Sequence, residues 1–545
     1  MKLTNIRTLE QLTTYKESWD HILEVNQNNN PFIEFQWVEN WWRYLGGNRG
    51  ITLIVVEKND NVIAFFPFQL SQKWNTTLVE FIGRGEANYM DIIVYNSERE
   101  ETIKFVFDEL MEKMPNSIFN LHGLLSSSYT TNMMNLYLAK RKCKPTIFSV
   151  VTPFIKMESI HQVDYMKKRR KLHGLDRREK RLRYLGEIKV ETSDPREIKN
   201  VFDLHDKRWK QKLDTSQFTD EAHRKFYSAL VNIKDGPMQA KLEGLYLDNQ
   251  MIAFSYGFKC RGRYTVYVTG HDDDYGIYGP GSILDKELIG NSGTQSIKIF
   301  DLSIGFEPYK FEWNTGLDYT NNFMFLSSGW QLQTKLMFQL IKSKGQIKAK
   351  IKKNYKIVLF KREFIGQKLY FMKHAKFKDW SKVIRRLSGK IYSRKSINIY
   401  QQSHGDTEVV AFKKLVYPEA KMKHYDVKQI NKQYYRGYIP YSDPYMSMFW
   451  IHPKLIRVDE VDYLQPLPKY SAFIAEWQIH KLSSICSFLR EDKKVKDIFL
   501  YTSTEDSIVR RHLKQLGFNY VKSIKKTCVF SKSTTQVLTD SSTKE

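Results

Sequence analysis

The stretch from Asp248 to Trp313, with the strand that leads into it, constrains the fold more than any other part of the chain. Gly244–Phe258 reads as two strands joined at Asp248-Asn249, a dipeptide suited to the tight turn of a hairpin. Tyr264-Thr-Val-Tyr-Val-Thr-Gly270 reads as a third strand. It empties into Tyr275-Gly-Ile-Tyr-Gly-Pro-Gly-Ser282, a Gly/Pro loop that opens a helix. Asp301-Leu-Ser-Ile-Gly-Phe-Glu-Pro-Tyr-Lys310 then follows the short apolar strand Ile297–Phe300. A loop of backbone N–H groups at a helix N-terminus suits a pyrophosphate, because the orphan donors and the helix dipole both favour negative charge. The plainer reading is a strand-to-helix turn that needs glycine for positive φ.

Around this stretch the chain is long enough, at 545 residues, for more than one domain. The text of residues 1–155 mixes helix, as in Leu9–Val25, with strands such as Ile51–Val56 and Val62–Phe68 on either side of a Lys-Asn-Asp-Asn turn. Strands, helices and hairpin turns together indicate a mixed α+β fold. Val62-Ile-Ala-Phe-Phe-Pro-Phe68 and Met251-Ile-Ala-Phe-Ser-Tyr-Gly-Phe258 both follow a turn, which points to a duplicated unit. Residues 156–340 form the second such segment, with a basic helix from Met166 to Leu185 stopped at Gly186, and helices over Ile198–Lys212 and Glu221–Ile233. A basic, aromatic-bearing linker at 341–395, a further domain at 396–530 and a polar, disordered tail at 531–545 complete the expectation.

The net charge of +26 is focused. Residues 1–150 carry 15 Lys+Arg against 17 Asp+Glu, whereas 166–190 carry 11 against 3 and 341–430 carry 24 against 6. Those last two segments, +8 and +18, equal the whole excess, so the polyanion-attracting charge sits in two places. The segment 341–395 suits an anionic membrane surface, or else is a solvated linker. No apolar run approaches a membrane span. The N-terminus lacks a secretory signal pattern, and Cys143, Cys260, Cys486 and Cys528 have neither metal spacing nor a histidine beside them. The expectation is a cytoplasmic protein with reduced thiols, no metal, and no covalent acyl-enzyme. Trp37, Trp41 and Trp42 fall at helix-to-core spacing.

The order strand–turn–Ile-Ala-x-x-Tyr-Gly, Tyr264–Gly270, Tyr278-Gly-Pro-Gly281 and Phe300-Asp-Leu…Gly305-x-Glu-x-Tyr-Lys310 resembles the GNAT-fold acetyltransferases of the cellulose-biosynthesis CelD/BcsL type. Leu204-His-Asp-Lys-Arg-Trp209 and the Trp37–Gly46 region are similar to that family too. The likeness covers roughly residues 1–340, and the pairing of two GNAT-like halves also resembles the FemABX aminoacyltransferases. Asp497–Phe530 is similar to the closing strand–helix–strand of a further GNAT domain, but Leu467–Ala475 has no glycine where a cofactor-binding member carries a Gly-x-Gly turn. That last domain therefore reads as degenerate.

The resemblance implies an acyl-CoA-dependent N-acyltransferase, with acetyl-CoA or another acyl-CoA as co-substrate. Its acceptor would be an amino sugar or related precursor of a cell-envelope or exported polysaccharide. Such an enzyme must hold the donor phosphates, polarise the thioester and take a proton from the amine. Tyr275, Gly276, Tyr278, Gly279, Gly281, Ser282 and Lys286 are the donor-binding candidates. Asp301, His205 and Tyr309 are the catalytic candidates, with Asp301 expected to face the substrate at the end of a buried strand, or else to tie down the next loop. Arg208, Trp209, His271, Glu307 and Lys310 are acceptor-side candidates, with His271 and Glu307 open as alternative bases. Transfer from aminoacyl-tRNA, and a non-catalytic polyanion- or membrane-binding role, are the alternatives. Either the tRNA or the inner membrane face would then be a partner of the basic segments.

Overall fold

The computed structural model describes the chain except residues 48, 184, 211–217, 219, 294–295, 328–330, 354–391, 405–411, 415–435, 441–448, 478–481, 492, 530–531 and 539–545. Two compact units result: Met1–Arg183 with Glu187–Met372, and Lys373–Glu545 with Tyr184–Gly186. The fold is mixed α/β, with large sheets in both units.

The first unit holds strands β1 (Lys2–Ile6), β2 (Gly50–Lys58), β3 (Asn61–Lys73), β4 (Thr76–Phe81), β5 (Ile93–Val94), β6 (Ser117–Leu125) and β7 (Thr146–Lys156). It continues with β8 (Ile188–Thr192), β9 (Met238–Leu247), β10 (Gln250–Cys260), β11 (Arg263–His271), β12 (Ile299–Asp301) and β13 (Gly316–Leu326). These make one 13-stranded sheet in the order β1-β2-β3-β4-β6-β13-β7-β12-β11-β10-β9-β8, with β5 on β3. The same pattern occurs twice. A hairpin whose two turn residues both have positive φ (Asn59 and Asp60 in one, Asp248 and Asn249 in the other) leads to a third antiparallel strand. That strand then pairs in parallel with the next long-range partner, β4 with β6 and β11 with β12.

The two copies are stitched together by exchanged strands. β13, from the second copy, pairs with β6 of the first; β7, from the first, pairs with β12 of the second; and β7 and β13 pair with each other. One apolar core spans both copies. Trp19, Trp37 and Trp41 are fully buried in it, and Phe32 meets Trp37, Tyr89 and Phe258 edge-on at 5.6, 5.7 and 5.7 Å.

Two local expectations need correction. The basic helix is two helices, Gln162–His173 and Leu175–Arg183, because Gly174 adopts φ +56° and breaks the run. The segment after residue 531 is not all disordered tail: Lys532–Leu538 is a strand. Its β-branched Thr and Val residues pair antiparallel with Ser523–Val529. The helix Leu332–Lys353 enters the basic segment 341–395, and most of the rest of that segment lies outside the described residues.

The second unit contains β14 (Tyr392–Gln402), β15 (Phe412–Lys414), β16 (Arg436–Pro440), β17 (Phe449–His452), β18 (Leu455–Val458) and β19 (Tyr463–Pro466). β20 (Ser471–Glu476), β21 (Asp497–Ser503), β22 (Asn519–Val529) and β23 (Lys532–Leu538) follow. Eight strands form the sheet β15-β16-β17-β20-β21-β14-β22-β23, and β18 and β19 form a separate hairpin. Helices Leu482–Glu491 and Ser507–Gln515 pack on one face through Ile485, Phe488, Leu489 and Leu513.

Candidate functional site

The parallel pair β11–β12 has only three rungs, ending at Thr265↔Asp301. Beyond it β11 continues to His271 while β12 stops, so the two strands part and, among the described residues, no strand pairs with the second half of β11 on that side. Two adjoining clefts occupy this opening. The larger, about 340 Å³, is floored by Phe254, Thr269 and Gly270 and bounded by Gly276, Gly279, Gly281 and Ser282. Arg208, His271, Asp285, Glu307 and Tyr309 complete its wall. The smaller, about 200 Å³, shares Thr269, Glu307 and Tyr309 and adds Asn88, Ser303 and Lys310.

The loop after β11 is more ordered than an open glycine loop. Asp272 accepts a hydrogen bond from the Asp274 N–H at 3.1 Å and caps a short 3-10 turn, Asp273–Tyr278. Gly279, at φ +64°, turns the chain, and Pro280 starts the helix Pro280–Asn291. In the first turn of that helix, the Gly281 and Ser282 N–H groups make no backbone hydrogen bond among the described residues. They lie at the positive end of the dipole and border the cleft. A Cβ on Gly279 would lie 3.0 Å from Arg178 Nη1, so the second basic helix brings a guanidinium to this turn. Arg181 of the same helix covers the Tyr278 ring at 5.4 Å.

The helix Ile198–Lys210 pins the other side. Lys207 Nζ reaches both oxygens of buried Asp272 at 2.8 Å. Arg208 Nη1 lies 3.0 Å from His271 Nδ1, and its Nε lies 3.5 Å from Asp273 Oδ1. Since a guanidinium only donates, His271 Nδ1 accepts in this contact. Trp209 follows in the same helix, its side chain outside the described residues.

Asp285, which sequence reasoning missed, is the most unusual group in the cleft. It sits one turn into the helix, aims at the cleft, and makes no hydrogen bond or ion pair among the described residues. Burial pushes its carboxyl up to about 7, against the opposing pull of Lys310. Lys310 Nζ donates to the Ile304 carbonyl at 2.7 Å and lies 3.1 Å from Glu307 Oε2. Tyr309 hydrogen-bonds the Thr269 side chain, and burial raises its hydroxyl above the usual tyrosine range. The helical position i, i+4 from Gly281 was the one available signal for Asp285; nothing in the sequence shows which way that turn faces.

The remaining sequence candidates lie away from the cleft surface. Asp301 is 0% exposed and engaged by Arg263 Nη2 at 2.7 Å, by Tyr89 Oη at 3.0 Å and by the Ser303 N–H at 2.8 Å. Tyr275 and Tyr278 are buried behind the turn. Lys286, expected to reach a phosphate, points backward into an ion pair with Glu179 and a second with Glu287 at 2.7 Å. His205 is buried edge-on against Phe218 at 4.8 Å, and desolvation lowers its imidazole to about 4. Gly276, Gly279, Gly281, Ser282, Arg208, His271, Glu307, Tyr309 and Lys310 converge on the two clefts. Among the described residues no cluster of His, Cys, Asp and Glu could hold a metal ion.

Residues 167–311 match the family model described as Acetyltransferase (GNAT) domain, a span that contains every residue lining the larger cleft. Solved structures similar to the chain include one described as FemX, at 12% identity, covering 63% of this chain and 100% of that one with a TM-score of 0.42. A tandem GNAT protein from the clavulanic acid biosynthesis pathway is 9% identical and covers 61% and 100%, with a TM-score of 0.38. A GNAT-family acetyltransferase from Colwellia psychrerythraea is 10% identical and covers 60% and 100%, with a TM-score of 0.33. No curated protein matches the chain.

Proposed function

We propose that the chain is an acyl-CoA-dependent N-acyltransferase whose donor and acceptor meet in the cleft between β11 and β12. One observation carries this reading. The Gly281 and Ser282 N–H groups, without a hydrogen bond among the described residues, and Arg178 beside Gly279 open on the same cleft as Asp285, a carboxyl poised near neutrality.

The residues present fit a pyrophosphate-bearing donor. Two helix N-terminal N–H donors and a guanidinium favour its charge, and the lack of side chains at Gly279 and Gly281 lets the phosphates approach the backbone. Acyl-CoA bound there would supply an activated acyl group as its thioester. The unpaired edge of β11 beyond Thr265 offers backbone polar groups to hold the donor's amide-bearing arm in an extended form.

Asp285 takes the proton from the attacking amine. A base with a pKa near the working pH is partly ionised yet still basic enough to accept a proton, which is the useful compromise for general-base catalysis. Tyr309, held by Thr269, is placed to donate a proton or hydrogen bond to the departing sulfur. Glu307, fixed by Lys310, together with Arg208 and His271, presents a charged and hydrogen-bonding rim for the acceptor. The resemblance of residues 1–340 to the CelD/BcsL type supports an amino sugar of a polysaccharide precursor as that acceptor. Asp301 acts through Arg263 as a structural tie at the point where the strands part.

Calorimetric titration of the full chain with acetyl-CoA, free CoA and an aminoacyl-tRNA tests the reading, together with release of CoA in the presence of glucosamine. Saturable binding of acetyl-CoA and glucosamine-dependent CoA release are expected. Binding of aminoacyl-tRNA with no affinity for either CoA species would overturn it.

A further inference from the structure

Along β14, Arg394, Ser396, Asn398 and Tyr400 alternate with Ile397 and Ile399, so the two sets face opposite sides of the second unit's sheet. Ile397 and Ile399 join Ile524 and Phe473 in an apolar cluster. On the other side Tyr400 is buried with the helix-covered core, whereas the Arg394 end of the same face is exposed. The neighbouring strand continues this polar face, with Ser523 opposite Asn398 and Lys525 opposite Ser396. Together these strands floor a groove of about 810 Å³, in the range of about 300–1,000 Å³ common for small-molecule sites.

We infer that this groove is a second binding site, for a polar ligand that carries a phosphate group. Three cations converge on it (Arg394, Arg510 and Lys525) and none of them makes an ion pair among the described residues. One carboxylate, Glu505, stands at the rim. By contrast Lys526, the next residue on the opposite face, is paired with Asp462. Three cations against the one carboxylate of Glu505 leave an excess of positive charge, and an oxyanion relieves their mutual repulsion through charge-assisted hydrogen bonds.

The floor is prepared for hydrogen bonding rather than for apolar contact. Ser523 Oγ donates to Asn398 Oδ1 at 2.5 Å and lies 2.9 Å from Tyr520 Oη. The hydroxyl of Ser396 has no partner among the described residues, an unsatisfied donor of the kind that buried sites seldom retain. The loop after β21 is tied down beside it, since the Thr504 N–H donates to the Ser396 carbonyl at 3.2 Å. Arg510 projects from the helix that this loop starts. A hydrogen-bonding floor beneath three cations that have no ion pair among the described residues suits a phosphate ester on a hydroxylated body, and the groove has the volume for one such molecule. This groove belongs to the second unit's sheet, and the inference does not depend on acyl transfer.

Full-length protein is titrated by calorimetry with glucose 6-phosphate, glucose and inorganic phosphate, and floated with vesicles of phosphatidylglycerol or phosphatidylcholine. The same measurements are made on R394A/K525A and on S396A, with melting curves to verify folding. Glucose 6-phosphate is expected to bind more tightly than inorganic phosphate, glucose not at all, and R394A/K525A to lose at least about tenfold in affinity. If phosphatidylglycerol vesicles are bound instead, and R394A/K525A releases them, the phosphate is that of a lipid headgroup and the site stands. Absence of binding to every phosphate probe, or equal binding by wild type and folded R394A/K525A, would overturn it.

Discussion

Arg263, on the first rung of the β11–β12 pair, holds Asp301, on the last, by two N–H donors on a single oxygen, Nη2 at 2.7 Å and Nε at 3.0 Å from Oδ2. The other oxygen takes the Tyr89 hydroxyl and the Ser303 N–H. An ion pair whose carboxylate is 0% exposed and whose guanidinium is only 11% exposed is costly to break from one side only, because the remaining charge is left stranded. Asp301→Ala is therefore expected to lower unfolding free energy by roughly 3–5 kcal/mol, read from urea denaturation. Loss of activity with an unchanged denaturation midpoint would instead make Asp301 a chemical participant.

Asp285→Asn should keep the fold and lower kcat by about 10²–10⁴, the usual contribution of a positioned base. In the wild type, kcat/KM should rise with pH through about 7 as the carboxyl ionises, and this rise should vanish in the variant. The sign for stability is opposite. The folded carboxyl titrates above its unfolded value, so its contribution is fully present below about 4 and is lost as pH rises through about 7. Asp285→Asn should then be more stable than wild type at pH 8, and a lower melting temperature there would contradict the assignment.

Gly281 can accept a side chain without disturbing the fold, since a Cβ there meets only His271 Nδ1, at 3.7 Å. The same Cβ would stand where a phosphate must approach the N–H groups. Gly281→Val is expected to weaken acetyl-CoA binding by about tenfold or more while costing less than about 1 kcal/mol of stability. Calorimetry on the folded variant decides it. Undiminished affinity would remove the donor from this turn.

His205 is kept neutral by burial, with its imidazole lowered to about 4. Its stabilising contribution is present above its unfolded value near 6.5 and is lost as pH falls toward 4, on the order of 3 kcal/mol in total. His205→Gln should flatten that part of the stability profile without moving the activity midpoint near 7. A shift in the activity midpoint would place His205 in proton transfer.

Much of the architecture could be read from local patterns. Asp248-Asn249 forms the expected hairpin turn, with φ of +46° and +63°, because those side chains tolerate the left-handed region. Trp37 and Trp41 are buried as their helical spacing indicates. Gly279, Gly281 and Ser282 were visible because glycine and proline mark a turn wherever they occur. Lys286 and Asp285 show where such reading fails. They are adjacent in one helix, yet Asp285 faces the cleft and Lys286 turns away to Glu179. A rotation of about 100° per residue separates them, and only the packing of the basic helix against this one decides which side is which.

What the sequence determined by itself was therefore local: the hairpin turns, the helix start at Pro280 and the uneven placement of charge. These follow from backbone dihedral preferences and residue charge, which act over a few positions. The tertiary structure alone decided that β7 and β13 cross between the two copies, that Asp301 is spent on Arg263, and that Asp285 stands unpaired at a cleft. Those outcomes depend on contacts between residues distant in the chain, where burial and desolvation, rather than sequence pattern, set both geometry and proton affinity.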